Sequence, residues 1–332
     1  IYVLALIIFG IGSLIVSVTD NFTWLLVGRS VQGFGASGIF PVASAIVGDL
    51  FPVEKRGRIL GLIGAVFGLA FLIGPFIAGL LLHYFSWNFL FIINLPIVAV
   101  LIFYSLRILP AKSNSHVTEI DWKGIFLLGL GLASFTYGVN NIDGNNLNSL
   151  FHVSVTVPFA VAFIALALLV LVEKDAKFPV VKLDFFKNTQ IILAGVLAIV
   201  TGLIQACFVF IPKFVVSDFH VDPSTASFMM TPFVLATAVG SPLFGRLIDK
   251  SGVRLVIITG LILLSGGFYL LAVTAGSHWI YYLGGALIGL GLSVLSGSSL
   301  RYIMLNNASA EDRAVSQGML TIFISVGQLS GS

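Results

Sequence analysis

The sequence predicts an all-α transmembrane protein, and three observations carry that expectation. Hydrophobic residues make up 58% of the 332 residues and charged residues only 9%, against about a quarter charged in soluble domains. Mean hydropathy is +1.08, and apolar stretches of about 20 residues recur along the whole chain. The charged residues gather between those stretches rather than within them. The short alternating segments of a membrane β-barrel are not seen in the sequence. A single cysteine, Cys207, excludes an intrachain disulfide.

Taken in order, apolar spans are expected near 1–19, 22–48, 58–85, 87–109, 122–140, 152–172, 191–216, 224–247, 255–274, 279–305 and 314–332. The charges between these eleven spans set a topology. Of the 17 Lys and Arg, fifteen fall in alternate loops or at their edges: Lys55, Arg56 and Arg58; Arg107, Lys112 and Lys123; Lys174, Lys177, Lys182 and Lys187; Arg246, Lys250 and Arg254; Arg301 and Arg313. The positive-inside rule places those loops in the cytoplasm. The intervening loops hold only Lys213, and Arg29 lies within a span.

An internal repeat divides the chain. Glu54-x-Arg56-x-x-x-x-Gly61 matches Glu311-x-Arg313-x-x-x-x-Gly318, 257 residues further on, and Gly74 falls on Gly331 at the same offset. Gly33-x-Gly35 matches Gly289-x-Gly291 at an offset of 256. Two related halves with a substrate site between them are a common way to build a transporter. The expected organisation is an N-terminal half at 1–110, two additional helices at 111–189 and a C-terminal half at 190–332.

Three stretches carry residues that a plain lipid-facing helix does not need. The first is Leu25-x-x-x-Arg29-x-x-Gln32-Gly33-x-Gly35-Ala36-Ser37. Arg29 stands about 10 Å into its helix at 1.5 Å per residue. There an arginine costs roughly 2.5–3.5 kcal/mol on insertion scales, so it is expected to face a partner or a wet cavity; the bland alternative is snorkelling towards Asp20. The second runs from Gly61, Gly64 and Gly68 to Gly74-Pro75-x-x-Ala78-Gly79. Its glycines allow close helix approach, and Pro75 removes a backbone hydrogen bond. Plain small-residue packing explains the same spacing. The third is Gly245-x-x-x-Asp249-Lys250-x-Gly252-x-Arg254. Gly252 is free to take positive φ. Asp249 closes a helix, where the dipole disfavours a carboxylate, and is better placed facing the N-terminus of a neighbour.

These stretches resemble the major facilitator superfamily, and within it the fourteen-helix drug:proton antiporters of the EmrB/QacA type. Residues 25–37 look like the family's motif on helix four, Gly74–Gly79 like its antiporter motif on helix five, and 245–254 like its cytoplasmic loop motif in the second half. Ala70 and Ala78 depart from the pattern where glycine is usual. The resemblance implies a major facilitator fold of two pseudo-symmetric helical halves, with about eleven of fourteen spans present. Subtracting the repeat offset from 245–254 puts the first-half loop motif just before Ile1, so helices are expected to be missing at both ends. Antiporters of this type usually carry a membrane-embedded acid on the first helix, a natural partner for Arg29.

The functional expectation is a proton-coupled exporter of hydrophobic or cationic small molecules, working by alternating access in the cell membrane. A metabolite importer and a non-transporting membrane receptor on the same fold are the alternatives. Arg29, Gln32 and Gly33 are the candidates for the cavity and proton coupling. Gly74, Pro75 and Gly79 are the candidates for a close-packed face against the second half, and Asp249 with Arg254 for a cytoplasmic latch. Asn94, Tyr137, Gln205 and Thr231 are candidates for the substrate pocket, although most polar residues in spans form interhelical hydrogen bonds. The expected partners are a small-molecule substrate, protons and the lipid bilayer. No Cys-His spacing for a metal and no phosphate-cradling Gly-x-x-x-x-Gly-Lys-[Ser/Thr] occur in the sequence, so neither an enzyme, a cofactor nor a nucleic-acid partner is expected.

Overall fold

The computed structural model describes residues 1–109, 121–144, 146–273 and 277–331. The expected boundary at 110/111 and the topology residue Lys112 lie outside the described residues. Within them the regular structure is entirely helical: α1 (Tyr2–Ser17), α2 (Phe22–Leu50), α3 (Val53–Tyr84), α4 (Phe89–Ile92), α5 (Asn94–Ile108), α6 (Trp122–Asn140), α7 (Val153–Asp175), α8 (Thr189–Cys207), α9 (Ile211–Phe219), α10 (Pro223–Met229), α11 (Thr231–Ser251), α12 (Val253–Ala272), α13 (His278–Leu292), α14 (Leu300–Asn306) and α15 (Arg313–Gly331). Eight helices among the described residues are long and apolar enough to cross a membrane. The other three expected spans are helical as well, at Tyr2–Ser17, Val53–Tyr84 and Arg313–Gly331.

Local chemistry sets the helix ends. Asn21, Asp121, Asn188 and Asp222 each accept a backbone N–H from the first turn that follows, satisfying a donor the helix leaves free. Gly252 has φ +84°, and its N–H returns to the Ile248 carbonyl at 2.9 Å. It ends α11 in the left-handed conformation that glycine adopts without penalty.

Four expected spans are interrupted; the one at 87–109 breaks at Ile93, between α4 and α5. The chain at 191–216 breaks after Cys207 and restarts with Pro212 near the start of α9. The chain at 224–247 breaks at Met230, just before Pro232. In both places a proline in the first turn of the following helix lacks the N–H that would bond back across the break. The chain at 279–305 passes through a π-helical turn at Ser293–Ser299. The Gly74-Pro75 step does not interrupt α3, which runs unbroken to Tyr84.

The chain forms two compact units. Unit 1 comprises 1–114, 231–271 and 282–299, and unit 2 comprises 115–230, 272–281 and 300–332. This division cuts across the sequence halves because α11 packs along α3. In unit 1, α1 and α2 also pair through glycines: Gly35 lies against the Phe9 and Ala5 backbone, and Gly12 against Gln32. In unit 2 the main pairs are α6 with α7 and α8 with α15. Gly202 of α8 abuts the Ile324 carbonyl of α15, and Gly327 of α15 abuts that of Ile199. Such backbone approach is how membrane helices gain van der Waals contact when hydrophobic exclusion is weak.

Candidate functional site

Unit 1 holds the residues with the most specific geometry. On α2, Arg29 Nη1 donates to Gln32 Oε1 at 2.5 Å, and Gln32 Nε2 donates to Ser13 Oγ on α1 at 2.8 Å. Gln32 is buried. It lies one turn from Arg29 on the same helix face, so the amide anchors the guanidinium to the α1–α2 pair. The guanidinium also lies over the Phe91 ring, 5.6 Å from its centroid, a cation–π arrangement. Arg29 makes no ion pair among the described residues, so the snorkelling contact with Asp20 is not formed. It remains exposed, with donors of its fork available. Gly33 faces open space.

The α3–α11 seam is built from small residues on both sides. A Cβ on Gly61 would stand 2.5 Å from the Ser241 carbonyl, and one on Gly68 2.6 Å from Ala238 Cα and N. One on Gly64 would meet Gly297 Cα at 2.8 Å, and Gly245 abuts the Gly57 carbonyl. The expected close packing at Gly74 is not found: nothing lies within 4 Å of where its Cβ would be. Pro75 and Gly79 are helical residues of α3, and their surroundings fall outside what the structure describes.

The cytoplasmic loop motif meets this seam at its charged end. Asp249 Oδ1 accepts the Gly57 N–H at 2.9 Å and Oδ2 accepts the Arg58 N–H at 2.8 Å. A carboxylate from the C-terminal end of α11 thus sits on the N-terminal part of α3, where the helix dipole favours negative charge. The bonds are charge-assisted and bidentate. Gly245 permits the contact by letting α3 approach one turn earlier. Lys250 and Arg254 are exposed. Arg254, which the motif groups with Asp249, makes no ion pair with it among the described residues. It follows the Gly252 turn, on α12, and the partners of Asp249 are two backbone amides.

Two further arginines, Arg56 and Arg301, carry structural roles beyond the topology their charges set. Arg56 Nη2 donates to the Gly48 carbonyl at 2.8 Å and Nε to that of Phe51 at 3.2 Å. It caps the C-terminus of α2, where a cation is favoured. The repeat signal Glu54-x-Arg56 marked the residue without naming the role. In unit 2, buried Arg301 donates to Gln317 Oε1 at 3.3 Å, and Gln317 Nε2 donates back to the Arg301 carbonyl at 3.1 Å.

The four pocket candidates are distributed over both units. Gln205 accepts from Gln328 Nε2 at 2.6 Å, and the two line a cavity of about 240 Å³ with Ala206, Val209 and Leu329. Tyr137 is 59% exposed on α6. Asn94 and Thr231 begin α5 and α11.

These helices and seams define a multi-pass helical membrane protein. The sequence profile described as Major Facilitator Superfamily matches residues 1–206 and 193–332, and the chain belongs to that family. It is 31% identical over 327 residues to the "Uncharacterized MFS-type transporter YfiU" of Bacillus subtilis, covering 96% of this chain and 63% of the relative. It is 32% identical over 276 residues to "Multidrug resistance protein 3" of the same organism, covering 82% and 53%. A third relative there, "Multidrug transporter protein MdtP", is 28% identical over 334 residues, covering 100% and 61%. The chain therefore spans between about half and 63% of the length of these curated relatives. Among solved structures, the human organic anion transporter MFSD10 (TETRAN) shares the fold, with a TM-score of 0.69 at 17% identity, covering 99% of this chain and 68% of that one.

Proposed function

We propose that the protein is a proton-coupled secondary transporter of the fourteen-helix drug:proton antiporter type, exporting hydrophobic or cationic small molecules across the cell membrane by alternating access. The observation that carries this reading is the Asp249 contact with the Gly57 and Arg58 amides. It joins two helices from opposite sequence halves by a charge that can leave its partner without breaking either helix. A contact of that kind biases two conformations, as a gate requires. In this reading Asp249, Gly245 and the Gly252 turn form a cytoplasmic latch that favours the outward-open state. Lys250 and Arg254 serve topology.

Arg29 supplies the second support. Its charge is held on the α1–α2 pair by Gln32 and Phe91, with donors available to a substrate or a carboxylate. Proton coupling and export direction are drawn from the motif resemblance, and the drug class from the names of the relatives. The pocket reading keeps Gln205, joined by Gln328, and leaves Asn94, Tyr137 and Thr231 as positions to probe. Dye efflux from vesicles carrying the protein, with and without an imposed proton gradient, tests the reading. Efflux of a quaternary-ammonium dye is expected only with the gradient, and Arg29→Lys, which keeps charge but loses the planar fork, is expected to impair it with insertion intact. Gradient-independent movement, or normal efflux by Arg29→Ala, contradicts it.

A further inference from the structure

At the end of α8 two uncharged amides meet beside a small cavity. α8 and α15 run parallel and in contact: Gly195 faces the Phe323 ring, Gly202 abuts the Ile324 carbonyl, and a Cβ on Gly331 would stand 2.7 Å from Ala206 Cβ. This backbone approach fixes the side chains that lie between those points. Gln205, one turn beyond Gly202, accepts at 2.6 Å from Gln328, which follows Gly327. α8 stops two residues later, at Cys207. The N–H groups of Phe208, Val209 and Phe210 then bond to carbonyls three residues back, at 3.2, 3.1 and 2.9 Å. That tighter turn sets Val209 with Gln205, Ala206, Gln328 and Leu329 around the cavity of about 240 Å³. Gln205 also lies near the middle of the interrupted stretch 191–216, and transporters build substrate sites from discontinuous helices near the bilayer midplane.

A glutamine amide offers two N–H donors and a carbonyl with two lone pairs. The bond between Gln205 and Gln328 uses one donor and one lone pair, and neither side chain makes another hydrogen bond among the described residues. The pair therefore keeps both donors and acceptors for a ligand. What the cavity lacks is charge. α8 carries no charged residue, and the only one on α15, Arg313, stands 15 residues before Gln328, about 22 Å along the helix. Lys213 and Asp218 lie on α9, and neither lines the cavity.

A cationic head entering this cavity gives up water and meets no opposite charge. An uncharged group that both donates and accepts matches the free edges of the two amides. The volume is below the roughly 300–1,000 Å³ that encloses a drug-sized ligand, so the cavity takes one head of a compound, with Val209 and Leu329 against its apolar part. Resting on the transport reading above, we propose that Gln205 and Gln328 form a specificity subsite for the uncharged carboxamide or lactam head of a hydrophobic substrate, and that the subsite discriminates against a cationic head.

Binding of naphthamide and of its trimethylammonium analogue to the full chain in nanodiscs, corrected for uptake by empty nanodiscs, tests the assignment. The wild-type protein is expected to hold the carboxamide at least about tenfold more tightly. Removing both amide hydrogens, in N,N-dimethylnaphthamide, is expected to weaken binding to the unaltered protein about fivefold or more. Gln205→Leu and Gln328→Leu are expected to bring the carboxamide-to-ammonium ratio towards one. Gln205→Glu keeps the size, adds the missing charge and is expected to reverse the ratio. A ratio near one in the wild type overturns the proposal, as does a preference that survives in both leucine variants, since the amides would then only join α8 to α15. Efflux of the same two compounds under a proton gradient keeps the two readings apart. Selective binding without movement contradicts transport and leaves the subsite standing, whereas movement of both compounds without selective binding contradicts the subsite alone.

Discussion

Along α3, glycines recur every three or four residues at 57, 61, 64 and 68, and glycine returns at 74. The first group stacks on α11, whose own Ala238, Ser241 and Gly245 present little beyond backbone, while Gly74 looks onto open space. The same residue type on one helix therefore reports two different things. A glycine stripe marks a seam only where the facing helix is also stripped of bulk, because close approach needs both surfaces to give way. The Asp249 contact with the Gly57 and Arg58 amides lies at the packed end, one turn beyond Gly245.

Alanine substitutions separate the two ends most sharply. Gly68→Ala places a Cβ 2.6 Å from the Ala238 backbone, so the helices must separate, and a loss of about 1–3 kcal/mol is expected. Gly74→Ala meets nothing and is expected to be neutral or to raise stability by up to about 1 kcal/mol through helix propensity. Thermal unfolding in detergent reads both, and equal losses would erase the distinction between the two ends.

A partly buried ion pair in the other unit sets the scale for contacts outside such a seam. Although burial alone would raise it, hydrogen bonds from Lys182 and Ser309 hold the Asp312 carboxyl below its ordinary range. The hydrogen bond from Lys182 to Asp312 in turn raises the lysine. The Asp312 contribution is thus present above about pH 3.8 and fades as pH falls through its lower folded value, whereas that of Lys182 is present below about pH 10.5 and fades as pH rises through its higher one. Between those limits Asp312→Asn is expected to cost no more than about 1 kcal/mol, with the acid-side dependence reduced in a pH series of melts. A loss equal to that of Gly68→Ala would contradict this ranking. Smallest of all, Arg254→Ala is expected to change stability by less than about 0.5 kcal/mol and to leave labelling of the two membrane faces as it is, because the side chain is exposed and Asp249 binds amides instead.

Much of this was legible in the sequence. Apolar length and charge placement located the helices, with α6 found at the expected 122–140. The need of Asp249 for a helix N-terminus could be read from its place at a helix end, since a carboxylate there is electrostatically misplaced unless something answers it. Which N-terminus answers could not be read, because Gly57 lies 192 residues away. Arg254 entered the latch expectation through the loop-motif resemblance, and in the structure it is exposed beyond the Gly252 turn. Composition also hid the breaks after Cys207 and at Met230: the flanking residues are apolar, so hydropathy runs straight through prolines that backbone hydrogen bonding does not. Arg301 looked like a topology charge because it stands near a span end, and only Gln317, sixteen residues on, reveals that it is buried.

The latch is tested most directly by Asp249→Asn, read through single cysteines placed one at a time on the cytoplasmic and the outer face. Exposed Cys207 is first replaced by serine. The asparagine keeps one acceptor but loses the charge that the α3 N-terminus favours, a change of about 1 kcal/mol or roughly fivefold in conformational population. The account predicts that cytoplasmic-face labelling rises and outer-face labelling falls in the variant. An unchanged ratio would mean that Asp249 only ends a helix and sets topology.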